Sequence, residues 1–574
     1  MGGSLYIDFD AFAGTLSAED RERLSTTTVV FAYPVLDDNE FELVEHPVSQ
    51  RILVSVMERL GCRAVPEVAR LTRGDVAFSS LGRAASADYV VIHPMIGSVG
   101  LLPELVRAYR DRFPSARIVL QNSDQHQHEK LIGGPRGWTI AATLLQRIPE
   151  LDWVLIGFAD HALAALILGR PTAAAVGREG TGGHPLHYFR FASLPEPARP
   201  LARGAEDRSI RVQRARGCLS ACTYCIEGQA NRTLKSELPW DGLPVEAFVE
   251  RLAEVERNGY FFVNVIDSSF EDPGRRGIRD LVRFSELATG RGLRLSFKVH
   301  LRAESVLKLG PDDLDLMKRA GIDVLVIGIE SGSDVELAFY DKIADSAVSR
   351  ETAARLEAFG RFCVIYGYMM ISPIATLPML REKAAFLHGI GRCWDFLNLT
   401  NRVLVMWGTA LHRQLAERGL ADADSPPLSG YVDYRFIDPA VEAVDAALNR
   451  LKKERPGFMR LNNVLYDALN LDSRLQNPAN AAYLALAGEA FPAFRAALGA
   501  RLRRLNGLYR DGFARLLDDP EAPFLPEFDP AAEAERQMDE VYACLGFVKA
   551  LPEPPTTLYL HTWLSVVNRF GVSP

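Results

Sequence analysis

RARGCLSACTYCIEGQ, residues 214–229, carries three cysteines, Cys218, Cys222 and Cys225, at spacings of four and three residues. The stretch follows a short β-rich run, so a loop at the end of a strand can turn all three thiols inward. Three thiolates on a four-iron cluster leave one iron without a protein ligand, and that iron can bind a small chelating molecule. The spacing therefore predicts a [4Fe–4S] cluster that takes part in chemistry rather than only storing electrons.

Two simpler interpretations of the cysteines need to be weighed. The chain has seven cysteines in 574 residues, so three within eight positions indicate a shared metal site rather than unrelated buried thiols. A structural zinc site would need a fourth ligand, such as a second CxxC or a nearby pair of histidines. None follows within roughly the next seventy residues. Zinc is the stronger of the two alternatives.

Composition limits the class of protein. Hydrophobic residues make up 48% and charged residues 24%, which is typical of a globular protein of several domains. The net charge of −8 disfavours nucleic acid as a partner, because nucleic-acid binders usually carry a basic face. The first residues do not form a secretory signal, and no stretch reaches the roughly 18 uncharged apolar residues that span a bilayer. We therefore expect a cytoplasmic protein with no membrane partner.

The N-terminal part has the pattern of an α/β sheet. Short β-rich runs alternate with helical patterns, which predicts a doubly wound, Rossmann-like domain over residues 1–169. In open parallel sheets the loops at the carboxyl ends of the strands form the ligand crevice. These loops are YPVLDD (33–38), HPMIGSVG (93–100), QNSDQHQ (121–127) and GFADHA (157–162). The candidate ligand contacts within them are Pro34, Gly97, Gln121, Ser123, Gly157 and Phe158.

The rest of the chain divides by pattern into three parts. Residues 170–209 are rich in Gly, Pro, Ala and Arg without a sustained period, and we interpret them as a linker. Strand and helix patterns alternate again over residues 210–420, where about six strands predict a (β/α)6 partial barrel. The sixth of these strands is FLNLTNRVLVMW, residues 396–407. Helical patterns over residues 421–574 predict a mostly helical C-terminal domain.

Polar residues end several predicted barrel strands, where the active sites of barrels lie. They are Asp267 and Ser268 after the second strand, Lys298 and Arg302 after the third, Glu330 and Ser331 after the fourth, and Gly408 and Thr409 after the sixth. Taken singly, each fits an N-cap or a surface salt bridge equally well.

The three cysteines form the CxxxCxxC motif of the radical S-adenosylmethionine (SAM) superfamily, with Tyr224 as the aromatic residue before the last cysteine. The chain resembles this family over residues 210–420. The resemblance implies that the amino and carboxylate groups of SAM chelate the open iron. It also implies that the reduced cluster cleaves SAM to methionine and a 5′-deoxyadenosyl radical, which takes a hydrogen from the substrate.

The same resemblance suggests roles for residues at the strand ends. Asp267 and Ser268 occupy the place where related enzymes contact the methionine amino group. Lys298 and Arg302 occupy the place where a cation meets a carboxylate or a ribose hydroxyl.

Two further turns are similar to segments of the family. Glu330 and Ser331, in GIESGS, resemble the GxES segment. Gly408 and Thr409, in GTAL, resemble the PGTxL turn near the adenine, with Trp407 in place of the proline. The segment after the fifth strand, MMISPIAT, lacks the glycines of the GxPGET-like turn, and we assign no role there.

The N-terminal domain resembles the cobalamin-binding domain that precedes the barrel in the largest radical SAM subfamily. VLIGFADHALAALI, residues 154–167, is similar to the VxGEGExxLxxLL run of that subfamily, with Phe158 and Asp160 as variants. No GxGxxG follows the first strand, which disfavours a dinucleotide. Asp124-Gln125-His126 imitates the start of the DxHxxG loop that coordinates cobalt from below. We interpret this likeness as a coincidence and leave the lower cobalt ligand open.

The resemblance implies three cofactors, namely the [4Fe–4S] cluster, SAM and cobalamin. The leading hypothesis is a methyltransferase that moves a methyl group from methylcobalamin to an unactivated carbon of a natural-product or peptide substrate. A flavodoxin or ferredoxin-type protein would supply electrons. The alternative keeps the cofactors for a non-methylating cyclisation, ring contraction or rearrangement. A cluster scaffold or electron-transfer protein is a third hypothesis. The C-terminal domain is expected to cap the barrel mouth and select the substrate.

Overall fold

The computed structural model describes residues 6–36, 48–72, 75–78, 84–93, 100–121, 135–185, 187–199, 208–226, 240–422, 431–551 and 556–558. The chain divides into two compact units. The first unit comprises Met1–Pro244, Ile266–Ser268 and Leu404–Asp433, and the second unit comprises Val245–Val265, Ser269–Val403 and Tyr434–Pro574. No helix within the described ranges has the length and apolar character needed to cross a membrane.

The first unit contains the strands of a mixed main sheet and further short strands outside that sheet. Its strands are β1 (Tyr6–Ile7), β2 (Thr28–Leu36), β3 (Arg63–Thr72), β4 (Asp75–Phe78), β5 (Tyr89–Ile92), β6 (Arg117–Leu120), β7 (Trp153–Leu155), β8 (Ala175–Gly177), β9 (Gly180–Thr181), β10 (Tyr188–Phe189), β11 (Ser209–Val212), β12 (Ala215–Gly217), β13 (Trp240–Gly242), β18 (Val405–Met406) and β19 (Tyr431–Val432). Its helices are α1 (Phe9–Gly14), α2 (Ala18–Thr26), α3 (Val48–Arg59), α4 (Leu102–Arg112), α5 (Pro135–Arg147), α6 (Ala159–Ile167) and α15 (Ala410–Glu417).

Eight strands form the main sheet, in the order β4-β3-β2-β5-β6-β7-β8-β9. The strands β3, β2, β5, β6 and β7 are parallel, whereas β4 and β8 run antiparallel to their inner neighbours. The order of the five parallel strands reverses between β2 and β5, and ligands bind at the carboxyl ends of strands beside such a reversal. The predicted Rossmann-like sheet is confirmed.

The central strands are buried on both faces. Val30 and Phe31 of β2 and Val90 and Val91 of β5 are all 0% exposed. Helices cover both faces of a doubly wound sheet, so its inner strands are apolar along their whole length rather than alternating. This continuous apolar pattern is why these strands could be predicted.

The sheet is wider than predicted. β3 was not predicted, because Pro66 and Glu67 interrupt its apolar pattern. Glu67 is buried in the structure, where it accepts hydrogen bonds from the Tyr109 hydroxyl at 2.9 Å and the Arg112 guanidinium at 2.8 Å. β8 and β9 lie in the segment interpreted as a linker, so part of that segment belongs to the sheet.

The second unit contains the remaining barrel strands and the C-terminal helices. Its strands are β14 (Phe262–Val265), β15 (Ser296–Arg302), β16 (Ile322–Glu330) and β17 (Cys363–Tyr368). Its helices are α7 (Val245–Arg257), α8 (Gly274–Arg291), α9 (Ala303–Val306), α10 (Pro311–Arg319), α11 (Asp334–Phe339), α12 (Ser346–Phe359), α13 (Leu377–Gly389), α14 (Phe396–Thr400), α16 (Pro439–Glu454), α17 (Gly457–Leu475), α18 (Ala481–Ala487), α19 (Ala490–Asp518) and α20 (Pro530–Cys544).

The strands β14, β15, β16 and β17 are parallel neighbours in that order. Burial alternates along them. In β15, Val299 and Leu301 are buried, whereas Lys298, His300 and Arg302 are half-buried. One face of the sheet is therefore packed, and the other carries the charged side chains that are partly open to solvent.

The predicted sixth strand is largely wrong. Its first part forms α14, because the Asp395 side chain accepts a hydrogen bond from the Asn398 amide and caps a helix there. Strand pairing is reduced to a single parallel bridge between Ile371 and Arg402. Only β18 remains of the last part of the run, and it pairs with β19.

The C-terminal part is helical, as predicted. A buried ion pair ties its helix α17 to the sheet. Lys318, 0% exposed, donates to Asp323 Oδ1 at 2.5 Å and to the Ser473 hydroxyl at 2.8 Å. Burial lowers the pKa of Lys318, and Asp323 opposes that shift.

Candidate cofactor sites

The cysteine loop, in the first unit, begins directly after the strand β12. β12 pairs antiparallel with β13, and Gly217 lies opposite Trp240. Gly217 has a φ of 94°, a conformation that glycine adopts without a steric penalty, and it turns the chain into the loop. Cys218 and Cys225 are half-buried and Cys222 is 7% exposed. The three thiols thus follow one another in a loop that starts directly after a strand.

The loop is fastened at two points. The Cys225 amide donates to the Cys222 carbonyl at 3.1 Å, which closes a turn around Tyr224. The Leu411 amide, in the first turn of α15, donates to the Thr223 carbonyl at 2.9 Å. The predicted GTAL turn and the cysteine loop are therefore neighbours. Tyr224 is half-buried.

The other cysteines differ chemically from those of the loop. Cys62, Cys363, Cys393 and Cys544 are buried, and burial raises the pKa of each thiol to about 12. These four thiols are protonated at neutral pH and are poor ligands for iron. Within the described ranges, no three His, Cys, Asp or Glu side chains are grouped closely enough to hold a single metal ion. An iron–sulfur cluster differs from a single ion because each thiolate binds its own iron.

Asp267 fixes the strand that leads into the loop. Its Oδ1 accepts hydrogen bonds from the amides of Arg214 at 2.8 Å and Ala215 at 3.1 Å, and the residue is 3% exposed. This carboxylate oxygen is used within the protein. Ser268 is half-buried beside it.

The GTAL turn is a helix start. Thr409 is 0% exposed, and its hydroxyl accepts from the His412 amide at 3.2 Å while donating to the Met406 carbonyl at 2.8 Å. The Gly408 amide donates to His412 Nδ1 at 3.1 Å. The Thr409 side chain therefore caps α15.

A pocket lies at the carboxyl edge of the main sheet. Its lining consists of Ser49, Leu53, Gln121, Gly157, Phe158, Ala159, Asp160 and Arg216. The predicted contacts Gln121, Gly157 and Phe158 are thus brought together. Pro34 is buried within β2, and Gly97 and Ser123 lie outside the described residues.

Two polar atoms of this pocket have unused hydrogen-bonding capacity. Gln121 is 0% exposed, and its side-chain amide nitrogen pairs with the ring of His93. The buried Gln121 Oε1 and Ser49 Oγ find no hydrogen-bond partner among the residues that the structure describes. Buried polar atoms are normally paired, so these two indicate a ligand or solvent in the pocket.

Arg216 joins the pocket to the cysteine loop. Its guanidinium pairs with Asp160 at 2.5 Å, and the two side chains are 4% and 1% exposed. It also lies 4.4 Å above the centre of the Phe158 ring. Arg216 belongs to β12 and precedes Cys218 by two positions. The side chain of Arg216 thus forms part of the pocket wall, and its backbone forms part of the strand that leads into the cysteine loop.

Gly157 cannot be replaced without a cost to packing. Its φ is 70°, and a Cβ added there would lie 2.3 Å from the hydroxyl of Tyr188. Tyr188 is 1% exposed, its hydroxyl has no hydrogen-bond partner within the described residues, and burial raises its pKa. A large residue at position 157 would therefore disturb the fold before it tested ligand binding.

We therefore expect Gly157→Ala to lower the free energy of unfolding by about 2–3 kcal/mol, from the left-handed backbone and the clash with Tyr188. Adding Tyr188→Phe removes the hydroxyl and should recover part of the loss. Urea denaturation of both variants measures this. A fully stable Gly157→Ala protein would contradict the geometry.

In the second unit, Arg302 is already engaged with acidic side chains. Its guanidinium lies 3.2 Å from Glu271, 2.7 Å from Asp272 and 3.4 Å from Glu304. Glu271 is 0% exposed, and burial raises its pKa while Arg302 opposes the rise. Three carboxylates thus surround this cation.

Glu330 and Ser331 have different environments. Glu330 is at the end of β16 with a φ of 63°, and its carboxylate is 3.6 Å from Lys342 Nζ and 16% exposed. Ser331 is 0% exposed and donates to Glu336 at 2.6 Å. Glu330 and Lys298 are half-buried, whereas the Ser331 hydroxyl is used inside the protein.

Residues 212–373 match the radical SAM superfamily. The chain contains a radical SAM domain. No curated protein sequence matches the chain significantly.

The fold around the radical SAM domain is shared with solved cobalamin enzymes. The chain is similar to the cobalamin-dependent SAM radical enzyme OxsB with aqua-cobalamin bound, at 17% identity and a TM-score of 0.62 over 96% of this chain and 79% of that one. The OxsB structure with aqua-cobalamin and SAM gives 16% identity, a TM-score of 0.62, and 96% and 84% coverage. The radical SAM methyltransferase TsrM from Kitasatospora setae, with tryptophan and aza-SAM bound, gives 14% identity, a TM-score of 0.51, and 68% and 76% coverage. The predicted resemblance and fold class are confirmed.

Two residues within the matched radical SAM segment were not predicted from the sequence. Arg216 was not singled out, although it stands two positions before Cys218, because its partner Asp160 is 56 positions away. His300 was also missed. It lies on the same half-buried face of β15 as Lys298, and the alternation along that strand is the signal that could have found it.

Proposed function

We propose that this chain is a cobalamin-dependent radical SAM enzyme that transfers a methyl group from methylcobalamin to an unactivated carbon of a natural-product or peptide substrate. Its radical SAM domain and its fold support the class of enzyme. TsrM, which shares the fold, is a methyltransferase and supports the type of reaction. The observation that carries the proposal is Arg216, which lines the pocket of the main sheet and precedes Cys218 by two positions.

The cysteine loop fits an iron–sulfur cluster by its donor set. Cys218, Cys222 and Cys225 would each bind one iron, because they lie close together in one loop, whereas the four other cysteines are buried elsewhere in the chain. With the cluster and SAM bound, the chemistry supplied is reductive cleavage of SAM and hydrogen abstraction from the substrate. The loop's own contribution is to hold three thiols in order and leave one iron open.

The pocket of the main sheet fits cobalamin by its mixture of groups. The edge of a corrin carries many amides, and the unused oxygens of Gln121 and Ser49 can accept hydrogen bonds from them. Leu53 and Phe158 supply apolar contact. A ligand here would therefore satisfy the two buried oxygens, as a binding site requires.

SAM would be bound by residues with polar or aromatic side chains that are only half-buried. Half-buried side chains among the predicted contacts include those of Tyr224, Ser268, Lys298 and Glu330. We propose these four for SAM, together with the backbone at Gly408. Asp267, Arg302, Ser331 and Thr409 would act by holding the surrounding chain in place.

The remaining proposals follow from the class of reaction. The substrate is a small molecule or a peptide, and the electrons come from a flavodoxin or ferredoxin-type protein in the cytoplasm. The helical C-terminal domain selects the substrate, because appendages at the mouth of a barrel commonly set specificity.

Turnover with methyl-labelled SAM tests the reaction. We expect label in the product, together with deoxyadenosine and S-adenosylhomocysteine, because one SAM supplies the radical and another regenerates the methyl donor. Mass spectrometry of product and by-products provides the measurement. Deoxyadenosine without transferred label, in protein that binds cobalamin, would instead favour a cyclisation, ring contraction or rearrangement. Failure to bind cobalamin would exclude both reactions.

A further inference from the structure

The backbone at Glu330 is strained. Its φ of 63° lies in the left-handed region, and the Ser331 amide donates to the Ile329 carbonyl at 2.7 Å, which closes a three-residue turn around Glu330. A residue with a side chain is rarely found in this conformation. Such strain persists only where surrounding contacts hold it, and it is common at functional sites.

The turn directs the Glu330 side chain back over the ends of two strands. Gly328 of β16 and Gly367 of β17 are register partners. A Cβ at Gly328 would lie 2.6 Å from Glu330 Oε1, and one at Gly367 would lie 3.6 Å from Glu330 Oε2. The two glycines therefore provide the space that the carboxylate occupies. Lys342 Nζ lies 3.6 Å from the same Oε1 and balances its charge.

A buried network holds the residues that follow Glu330. Glu336 is 0% exposed and accepts hydrogen bonds from Ser331 Oγ at 2.6 Å and Lys383 Nζ at 2.5 Å, and from the hydroxyl of Ser372. Lys383 is also 0% exposed and donates to the Met369 carbonyl at 2.6 Å. Burial lowers the pKa of Lys383, and Glu336 opposes that shift.

The same network uses the amides that follow the turn. The Gly332 amide donates to the Tyr368 hydroxyl at 3.0 Å, and that hydroxyl donates to the Lys383 carbonyl at 3.0 Å. The Ser333 amide donates to Ser331 Oγ at 3.1 Å. Side chains at positions 331, 336, 368 and 383 thus fix three consecutive residues after the strained position.

We propose that Lys383, acting through Glu336 and Ser331, is a positioning residue that holds the Glu330 carboxylate in place for SAM. The proposal rests on the proposed function, in which Glu330 contacts SAM. A buried ion pair contributes little net stability compared with apolar residues of the same volume. The ion pair instead fixes the geometry of the turn. Less conformational entropy is then lost at Glu330 when SAM binds.

The test compares two buried lysines in the full-length, anaerobically reconstituted protein. Lys383→Met and Lys318→Met each leave a buried carboxylate without its cation, but Lys318 pairs with Asp323 and contacts α17 instead. We expect Lys383→Met to weaken SAM binding about tenfold, because the contacts that hold the strained turn at Glu330 are lost. Lys318→Met should lose similar stability and bind SAM like the unchanged protein. Equilibrium dialysis gives the affinity, and urea denaturation gives the stability.

Ser331→Ala keeps the ion pair and so provides a variant that folds. It should also weaken SAM binding about tenfold, with iron content unchanged. Unchanged SAM affinity in this variant would overturn the positioning role. Equal losses of SAM affinity in Lys383→Met and Lys318→Met would overturn it as well. Failure of the unchanged protein to bind SAM would instead overturn the proposed function, so the two failures are distinguishable.

Discussion

Alanine at Cys218, Cys222 or Cys225 is expected to abolish reductive cleavage of SAM. Each thiolate would hold a different iron, so the loss of one leaves the cluster with too few ligands to persist. The unchanged protein should contain about four irons per chain after anaerobic reconstitution. Each variant should contain far less and release no deoxyadenosine. Iron analysis and chromatography of the reaction with a chemical reductant measure both effects.

Cys393→Ala is the matched control. Cys393 is 0% exposed, its thiol donates to the Ala384 carbonyl at 3.3 Å, and burial raises its pKa to about 12. A neutral thiol in such surroundings acts as a small apolar side chain. This variant should keep its iron and its cleavage activity. Loss of the cluster in Cys393→Ala, or a complete cluster in Cys222→Ala, would show that the ligands are assigned wrongly.

The parts of the fold that the sequence predicted are those with a strong local pattern. β2 and β5 are continuous apolar runs between helices, and Asp345 caps α12 by accepting a hydrogen bond from the Val348 amide. β3 could not be recognised in this way, because its buried Glu67 depends on Tyr109 and Arg112, which lie more than forty positions along the chain. Tertiary contacts there overcome a poor local pattern.

The same distinction applies to the candidate sites. The cysteine motif is local, so its spacing alone predicts three ligands in one loop. The surroundings of Arg302 are not local, because Glu271 and Asp272, which pair with its guanidinium, come from about thirty positions earlier in the chain. The hydroxyl of Thr409 caps a helix and that of Ser331 donates to a buried carboxylate, and neither role could be predicted from a position at a strand end. Position at a strand end therefore does not by itself identify a ligand contact.

Arg216→Met is expected to abolish the retention of cobalamin and to lower the free energy of unfolding by about 3–5 kcal/mol. The change leaves Asp160, 1% exposed, as a buried carboxylate without its cation at the wall of the pocket. It also removes the guanidinium from above Phe158, which loses a cation–π contact. The absorbance of cobalamin that remains bound after gel filtration, and urea denaturation of the protein without cobalamin, provide the two measurements.

Two further variants separate a role in the pocket from a role in the fold. Arg112→Met breaks an ion pair with Glu67, which is 0% exposed in the same sheet but does not line the pocket. It should lower stability and leave cobalamin bound. Asp160→Asn combined with Arg216→Met removes both charges of the pair and should restore much of the stability. Cobalamin retention should stay low in this double variant, because the guanidinium is still missing from the wall. If Arg216→Met and Arg112→Met retained cobalamin equally well, Arg216 would be a structural residue and the pocket would lose its link to the cysteine loop.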